Sequence, residues 1–288
     1  MRAMFIGVLA LGVAAMSPWA SAQEEPVTTR TMALGGGTYG AALSTSGIYS
    51  NPAAMGLARL YHVDSSVLYQ PSLSRWSLGS AVVDTTRRIG AGLSYNYGTI
   101  GGEDRSSHDA RLALSVALTE GLALGVTGRY MNHSGTAAAG GQPGVAYDGF
   151  TVDAGLALRP VRFISLGVTG FSLTNPGTSL SPRALGTGFG LFPTESIGVV
   201  GDVYWNLQDA DRPRMRWSGG VEVLLERAPL RLGYTFDETR SDQGIHILTA
   251  GVGYIDPSFA LEAALRQEVS GGSDTTVLVN LRYFMRIN

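Results

Sequence analysis

The sequence predicts an all-β protein, a transmembrane antiparallel β-barrel of about fourteen strands with an N-terminal hatch, or plug, segment. Three observations predict it. Segments of about ten residues alternate apolar with small or polar side chains from about residue 60 to the end. The connections between these segments alternate short and long, and an export signal precedes them. A period of two that is sustained over most of a chain is typical of outer-membrane barrels.

The first 22 residues have the features of a secretory signal peptide. Arg2 is followed by an apolar run from Phe5 to Met16, and residues 20–22 read Ala-Ser-Ala, the small residues that a signal peptidase recognises. The apolar run is shorter than the roughly 20 residues that a spanning helix needs. No later stretch is continuously apolar, and the chain has no cysteine. Export combined with strands therefore predicts the bacterial outer membrane.

The alternation is clearest in two consecutive segments. In residues 111–118, leucine and valine alternate with Arg111, Ala113 and Ser115, and residues 122–130 repeat the pattern. Strand ends are uncertain by a few residues, so a barrel of twelve strands is the alternative count. The fourteen predicted strands are 60–69, 73–83, 88–97, 109–118, 122–131, 150–159, 162–173, 184–191, 196–206, 215–225, 230–236, 245–254, 258–267 and 276–284.

The same alternation predicts which way each side chain faces. The residues expected to face lipid are Trp76, Leu78, Leu93, Tyr95, Leu166, Val168, Val199, Trp205, Trp217, Val221, Leu232, Tyr234, Leu261, Leu265, Val279, Leu281 and Tyr283. The polar residues expected to line the lumen are Arg75, Asp109, Arg111, Arg129, Asp153, Asp202, Arg216, Glu222, Arg231, Glu262, Arg266, Asn280 and Arg282. Both signs of charge occur in the second group. Its members either form cross-strand ion pairs that hold the wall together or select a substrate.

A soluble β-sandwich is the alternative all-β fold. It would carry more charge on its outer faces and two sheets around one apolar core. The unbroken series of strands behind an export signal favours the barrel. The formal net charge of −2 gives no support to nucleic-acid binding.

Residues 23–59 do not alternate and are rich in small residues. Eight strands enclose a lumen that side chains fill, whereas 16 to 18 strands enclose an aqueous channel. A barrel of about fourteen strands therefore needs a plug, and small residues let a backbone pack closely inside it. We predict a signal peptide at 1–22, a hatch at 23–59 and the barrel at 60–288.

The hatch sequence resembles a known family. The run Ala-Leu-Gly-Gly-Gly from Ala33, followed by Ser-Asn-Pro-Ala-Ala-Met from Ser50, resembles the N-terminal hatch of the FadL-type outer-membrane transport family, fourteen-stranded barrels for hydrophobic molecules. It also resembles the shorter PorV/PorQ-like proteins of secretion systems. The resemblance implies that the hatch or gating residues are Gly35, Gly36, Gly37, Asn51, Pro52 and Ala53. The alternative is that Asn51 and Pro52 only shape the turn into the first strand.

The predicted lumen is polar, with few inward apolar residues, namely Leu68, Phe171, Val200, Leu278 and Phe284. The leading hypothesis is passive, hatch-gated passage of small hydrophobic or amphipathic molecules, without a cofactor. The alternative is a PorV/PorQ-like structural or adaptor barrel whose outer loops bind a secreted protein. The expected partners are outer-membrane lipid and either a hydrophobic small molecule or that protein.

The sequence does not predict an enzyme. Its four histidines are His62, His108, His133 and His246, and no pair of them has helical metal-ligand spacing. No nucleophile-elbow pattern occurs either. Histidines in or beside outer loops are expected to be solvated.

Overall fold

The computed structural model describes residues 27–285 except 37, 102–104, 136–145, 175–180, 209–212 and 242. The predicted signal peptide and Gly37 lie outside the described residues. Within them, fourteen strands form one closed barrel. The strands are β1 (Tyr61–Gln70), β2 (Arg75–Asp84), β3 (Ile89–Ile100), β4 (Arg105–Ala117), β5 (Leu122–Gly135), β6 (Tyr147–Val161), β7 (Ile164–Phe171), β8 (Ala184–Thr194), β9 (Ile197–Asn206), β10 (Arg214–Leu225), β11 (Ala228–Asp237), β12 (Ile245–Ile255), β13 (Phe259–Ser270) and β14 (Thr275–Phe284).

Each strand pairs antiparallel with its neighbours in sequence, and β1 closes the barrel against β14. A single closed sheet has no free edge and no second sheet to share a core with. The predicted fourteen-stranded barrel is therefore confirmed, and both the sandwich and the count of twelve are excluded.

The outer surface of the wall is apolar. Leu93 and Leu232 expose 58% and 68% of their surface, and the other residues predicted to face lipid are exposed or half-buried. Four of the five apolar residues predicted to face inward are buried, and Phe284 is half-buried. A closed barrel with an apolar outer surface and a polar interior is the architecture of outer-membrane proteins. The predicted outer-membrane location is confirmed.

The structure corrects several strand ends. β4 begins at Arg105 rather than 109, and β5 ends at Gly135 rather than 131. In these outer extensions the side chains on both faces are polar, and the hydroxyls of Ser106 and Ser134 form a 2.8 Å hydrogen bond. Apolar periodicity could not reveal them, because this part of the wall presents no apolar face.

At the opposite end, two strands continue beyond their predicted ends. β6 extends past Pro160 and β8 past Pro193, where the predictions ended each strand before the proline. Register shifts occur in both places, between Leu158 and Val161 and between Leu191 and Thr194. Proline is tolerated at such irregularities because no ladder hydrogen bond from its nitrogen is required there.

Residues 27–36 and 38–57 lie inside the barrel, and we call them the luminal segment. They form helix α1 (Thr29–Ala33), helix α2 (Ser46–Tyr49) and a 3-10 helix (Pro52–Leu57). Helix α1 packs against β11 to β14, whereas the 3-10 helix packs against β3 to β6 on the other side. A second 3-10 helix, Pro71–Leu73, joins β1 to β2. No helix in the described part of the chain is long and apolar enough to cross a membrane.

Candidate functional site

Helix α1 and the glycines after it are attached to β11 and β12. The Thr28 side chain caps the helix by accepting a hydrogen bond from the Thr31 N–H. The chain then reverses at Gly35 and Gly36, whose φ values of +94° and +98° favour glycine. The hydroxyl of Thr235 donates to the Gly35 carbonyl. This contact fixes Gly35 against the wall, and the Gly36 N–H donates back to the Thr31 carbonyl of helix α1.

Arg30 is the one charged residue among the described residues of the luminal segment. Its Nη2 lies 3.1 Å from Oε1 of Glu222 on β10, and its Nε donates to both oxygens of the same carboxylate. Its Nη1 donates to the Ala41 carbonyl at 2.8 Å. Arg30 therefore joins two parts of the luminal segment to the wall.

Glu222 begins a chain of ion pairs along the inner wall. Its carboxylate lies 2.5 Å from Arg231 Nε, and Arg231 Nη1 lies 2.5 Å from Glu262 Oε1. Arg282 continues the chain, with Nη1 3.7 Å from Glu262 Oε2 and Nε 2.8 Å from Asp64 Oδ1. These side chains are mostly buried. Each charge is compensated by a neighbour, which buried charges require.

The ion-pair chain crosses β12 because that strand carries glycines at the crossing. Gly251 is opposite Arg231, and Gly253 is opposite Glu262. A Cβ at Gly253 would lie 2.8 Å from the Glu262 Cγ, and one at Gly251 would overlap Ala33 of helix α1. The absence of side chains on β12 leaves room for the ion pair between β11 and β13.

The far end of the chain meets a buried histidine. Asp64 accepts a hydrogen bond from Thr45, and Nε2 of His62 lies 2.8 Å from the Ser44 hydroxyl and 2.9 Å from the Thr45 hydroxyl. Asp64 approaches the same nitrogen at 3.6 Å, while Nδ1 has no partner among the described residues. A catalytic triad needs the acid at the opposite ring nitrogen from the serine. The geometry therefore positions the luminal segment and does not form a triad.

Asp202 on β9 binds the backbone of the luminal segment. Its carboxylate accepts from the N–H groups of Thr38, Tyr39 and Gly40 at 2.9, 2.7 and 3.4 Å. Thr38 has a φ of +76°. Successive N–H groups turned inward in this way form an anion-binding nest. A predicted lumen residue thus contacts the luminal segment directly.

Asn51 joins the second half of the luminal segment to the wall. Its amide nitrogen donates to the carbonyls of Tyr39 and of Leu156 on β6, at 2.9 and 3.0 Å. Its oxygen accepts from the Ala53 N–H at 3.1 Å, and Pro52 occupies the first position of the 3-10 helix. Asn51 therefore shapes the turn and contacts the barrel wall at the same time.

Glycines of β5 to β8 let the luminal segment lie directly on the backbone of the wall. These residues are Gly125, Gly155, Gly167 and Gly188, and we call them the glycine flank. A Cβ added at any of them would overlap the luminal segment or the Asp202 carboxylate that binds it. No larger residue fits these positions while the segment is in place.

A separate ion cluster lies on β4 and β5. Asp109 accepts from Arg111 Nε and Arg129 Nε, each at 2.7 Å. The Arg111 guanidinium also lies 5.0 Å from the ring centroid of Tyr49 in helix α2, which is within cation–π range. The phenol oxygen of Tyr49 accepts from Asn96 at 3.2 Å. This cluster therefore also contacts the luminal segment.

An aromatic cluster lies on the outer side of the luminal segment. The Tyr39 ring packs edge-on against Phe171 and is stacked near Tyr204, with centroids 5.5 and 6.4 Å apart. Arg216 lies 4.8 Å from the Tyr204 centroid and donates to the Tyr39 hydroxyl at 3.0 Å. Arg216 is half-buried, and it lies opposite Asp237 in the register of β10 and β11, within electrostatic reach of that carboxylate.

The other predicted lumen residues also lie on the inner side of the wall. Asp153 accepts from the Ser172 N–H at 2.8 Å. Arg266 lies 3.8 Å from Glu268, and Arg75 is buried within electrostatic reach of Asp274.

Sequence reasoning missed four residues that hold the luminal segment: Arg30, Tyr39, His62 and Asp64. A signal existed for Arg30, since it is the one charge in an otherwise uncharged stretch. Asp64 occupies an inward position in the alternation of β1. His62 has the same signal, because it lies two residues from Asp64 on the inward face of β1. For Tyr39 the sequence offers no comparable signal, because its partners on the wall lie far away in the chain.

Comparison with known proteins gives a likeness of fold. No protein-family model and no curated protein matches this chain. The crystal structure of a Pseudomonas aeruginosa FadL homologue is similar, with a TM-score of 0.63 and 13% identity over 89% of this chain and 97% of that one. The Pseudomonas putida toluene transporter TodX is similar too, with a TM-score of 0.63 and 13% identity over 88% of this chain and 96% of that one. The predicted resemblance to FadL-type barrels is confirmed at the level of the fold.

Proposed function

We propose that this barrel passes small hydrophobic or amphipathic molecules passively across the outer membrane and that the luminal segment is its gate. The observation that carries the proposal is the position of the luminal segment, whose described residues fill the lumen through non-covalent contacts. The likeness to a FadL homologue and to a toluene transporter supports hydrophobic molecules as the substrate class. In this view residues 23–59 form the hatch.

The conformation described here corresponds to the closed gate. Between the luminal segment and β1 and β2, a cavity of about 10 Å³ is lined by Val27, Thr28, Asp64 and Ser66. That volume accommodates about one water molecule. Passage of a solute along this side of the lumen therefore requires the luminal segment to move.

The aromatic cluster offers an entry site on the outer side of the gate. Phe171 and Tyr204 supply apolar rings, and the half-buried Arg216 supplies a positive charge that lies opposite Asp237 in the register of β10 and β11. Rings beside a cation suit a molecule with an apolar body and a polar end. Because Arg216 also binds Tyr39, occupation of this site would act on the luminal segment.

An exit sideways through the wall is supported by the pairing of β6. Its register with β7 starts at Ala154 opposite Gly170, although β6 itself begins at Tyr147. Beyond that point, the described contacts are the Leu173 N–H donating to the Val152 carbonyl and the bonds of nearby polar side chains. Among the described residues, which leave out 175–180, this end of β6 has fewer ladder bonds than the rest of the wall, and a section with fewer bonds costs less to open.

The test compares the purified mature barrel with a variant that lacks residues 23–58, in liposomes. Single-channel conductance and uptake of a small hydrophobic dye are measured, and the heat-dependent gel mobility of each protein verifies that the barrel has folded. We expect the intact barrel to be closed or to admit only small apolar solutes, and the truncated barrel to conduct steadily.

Two silent but folded barrels would contradict gated transport. The alternative would then be a structural or adaptor barrel, and crosslinking through its outer loops would identify a secreted protein partner. A truncated barrel that conducts only ions and excludes the dye would contradict the substrate class and leave the gate in place.

A further inference from the structure

Two clusters of aromatic residues and histidine on the outer surface of the wall have the same geometry. In the first, the Tyr95 hydroxyl lies 2.7 Å from Nδ1 of His108. The ring centroids of Tyr95 and Tyr97 lie 6.1 and 5.2 Å from that of His108, with interplanar angles of 40° and 51°. Tyr97 is directly opposite His108 in the register of β3 and β4.

The second cluster repeats this arrangement on β11 and β12. The Tyr234 hydroxyl lies 2.6 Å from Nδ1 of His246. The centroids of Tyr234 and Phe236 lie 6.1 and 5.0 Å from that of His246, at 39° and 46°. Phe236 is directly opposite His246 in the register. The two clusters therefore agree within 0.2 Å and 5°.

The clusters lie on nearly opposite sides of the barrel, because β3 and β4 are separated from β11 and β12 in both directions around the closed sheet. Both lie toward the strand ends that are remote from the chain termini, which is the outer side of a bacterial barrel. Exposed leucines lie next to them on the membrane side, Leu112 on β4 and Leu248 on β12. This is the level of the outer-leaflet headgroups.

In each cluster, the second ring nitrogen is left for an external partner. Nε2 of His108 and Nε2 of His246 have no hydrogen-bond partner among the described residues. When Nδ1 accepts from the tyrosine, Nε2 carries the proton, and a protonated ring also presents an Nε2–H. Each cluster thus offers a fixed donor at headgroup level, between two aromatic rings.

We propose that the two clusters bind phosphate groups of outer-leaflet lipids, one lipid on each side of the barrel. A phosphate oxygen accepts the Nε2–H bond, and a protonated imidazole makes that bond charge-assisted. The flanking rings cover the adjacent sugar or acyl chains of the lipid, as amphipathic rings do at a membrane interface. An aromatic belt alone would need no histidine at these positions.

The test is native mass spectrometry on the full mature barrel, delipidated in a maltoside detergent. Lipid A carrying its phosphates is added back in parallel with the same lipid after removal of the phosphates. We expect two tightly retained molecules of the phosphorylated form and an apparent affinity about tenfold higher than for the dephosphorylated form, the difference that one charge-assisted hydrogen bond supplies.

The variants identify the sites. H108F and H246F should each remove the preference for the phosphorylated lipid at one site, and the double variant should bind both lipid forms equally. Y95F with Y234F keeps the imidazoles but releases their orientation, and it should weaken the preference. H133F is the matched control, because His133 follows the inward alternation of β5, and it should change nothing.

Equal retention of both lipid forms by the unmodified barrel would refute the proposal, as would a preference that survives in a folded H108F/H246F variant. The last measurement tests the binding of inorganic phosphate alone. If it binds at the two histidines as tightly as the phosphorylated lipid does, the ligand is free phosphate and the lipid assignment is wrong.

Discussion

The luminal segment is held differently on the two sides of the lumen. The glycine flank on β5 to β8 presents bare backbone, and the segment lies directly on it. The side from β10 to β1 presents the ion-pair chain of Glu222, Arg231, Glu262, Arg282 and Asp64, and it binds the segment through Arg30. Glycines occur on that side too, but there the attachment is mainly ionic.

The two sides therefore have different roles: the glycine flank determines where the segment lies, and the ion pairs attach it to the wall. Contact with a glycine surface is short-ranged and depends on a close fit, so it fixes where the segment lies when the gate is closed. An ion pair can exchange one partner for another, and Glu222 and Glu262 each already pair with two arginines. We therefore expect the segment to detach first from the charged side.

The largest effect is expected from E222Q, which removes the carboxylate that pairs with Arg30 and Arg231. Glu222 serves both Arg30 and Arg231, so its neutralisation leaves a buried guanidinium uncompensated, at a cost of about 3–5 kcal/mol. The chain has no cysteine, so Ala42, which is buried, can be replaced by a single cysteine. Its maleimide labelling in the folded barrel should rise at least tenfold.

Two controls sharpen this result. E195Q removes an exposed charge in the turn between β8 and β9 and should leave labelling unchanged. The double variant R30Q/E222Q removes both partners and should label more slowly than E222Q, because no unpaired Arg30 remains. Slow labelling in E222Q would mean that the ionic side does not hold the segment.

A smaller effect is expected from G188A on the glycine flank. The new methyl group would overlap the Asp202 carboxylate and approach the Gly40 nitrogen to 2.9 Å. Such overpacking costs about 1–3 kcal/mol, so the closed state should lose about 5- to 150-fold in population. Single-channel recordings should show longer open times.

G219A is the matched control for the glycine flank. Gly219 faces outward on β10, and a Cβ there would meet nothing closer than the Val200 carbonyl at 3.5 Å. Its recordings should equal those of the unmodified barrel. If G188A and G219A behave alike, the glycine flank does not determine the position of the segment.

The smallest effect is expected from Y39F at the outer end. The substitution removes the hydrogen bond from Arg216 and keeps the ring contacts with Phe171 and Tyr204. A loss of about 0.5–1.5 kcal/mol corresponds to a several-fold rise in opening frequency. Y69F, whose ring stacks on Trp76 outside the barrel, serves as the control. An unchanged opening frequency in Y39F would mean that Arg216 does not help to hold the gate closed.

Most of the fold could be predicted from the sequence, because strand alternation is a local property. Each inward or outward position is set by its neighbours two residues away, so Leu93 and Glu262 could be assigned without knowledge of the barrel. Strand ends were harder to predict. In the outer extensions of β4 and β5 no apolar face exists, and at Pro160 and Pro193 a register shift lets the strand continue.

The site was less accessible to sequence reasoning. Its charged wall residues were predicted as a group, but their pairing was not, because it depends on the register of each strand with the next. Arg231 reaches Glu262 only because β12 places Gly251 and Gly253 between them. No pattern within β11 or β13 indicates that Arg231 pairs with Glu262.

The sequence by itself determined the apolar outer surface and the polar interior, since both follow from the period of two, whereas the closed sheet decided between fourteen and twelve strands. Only the tertiary structure decided that Arg30 meets Glu222, that Asp202 binds three backbone N–H groups and that Asn51 reaches β6. These partners are more than 100 residues apart, and they meet because closure of the barrel brings all of its strands around one segment.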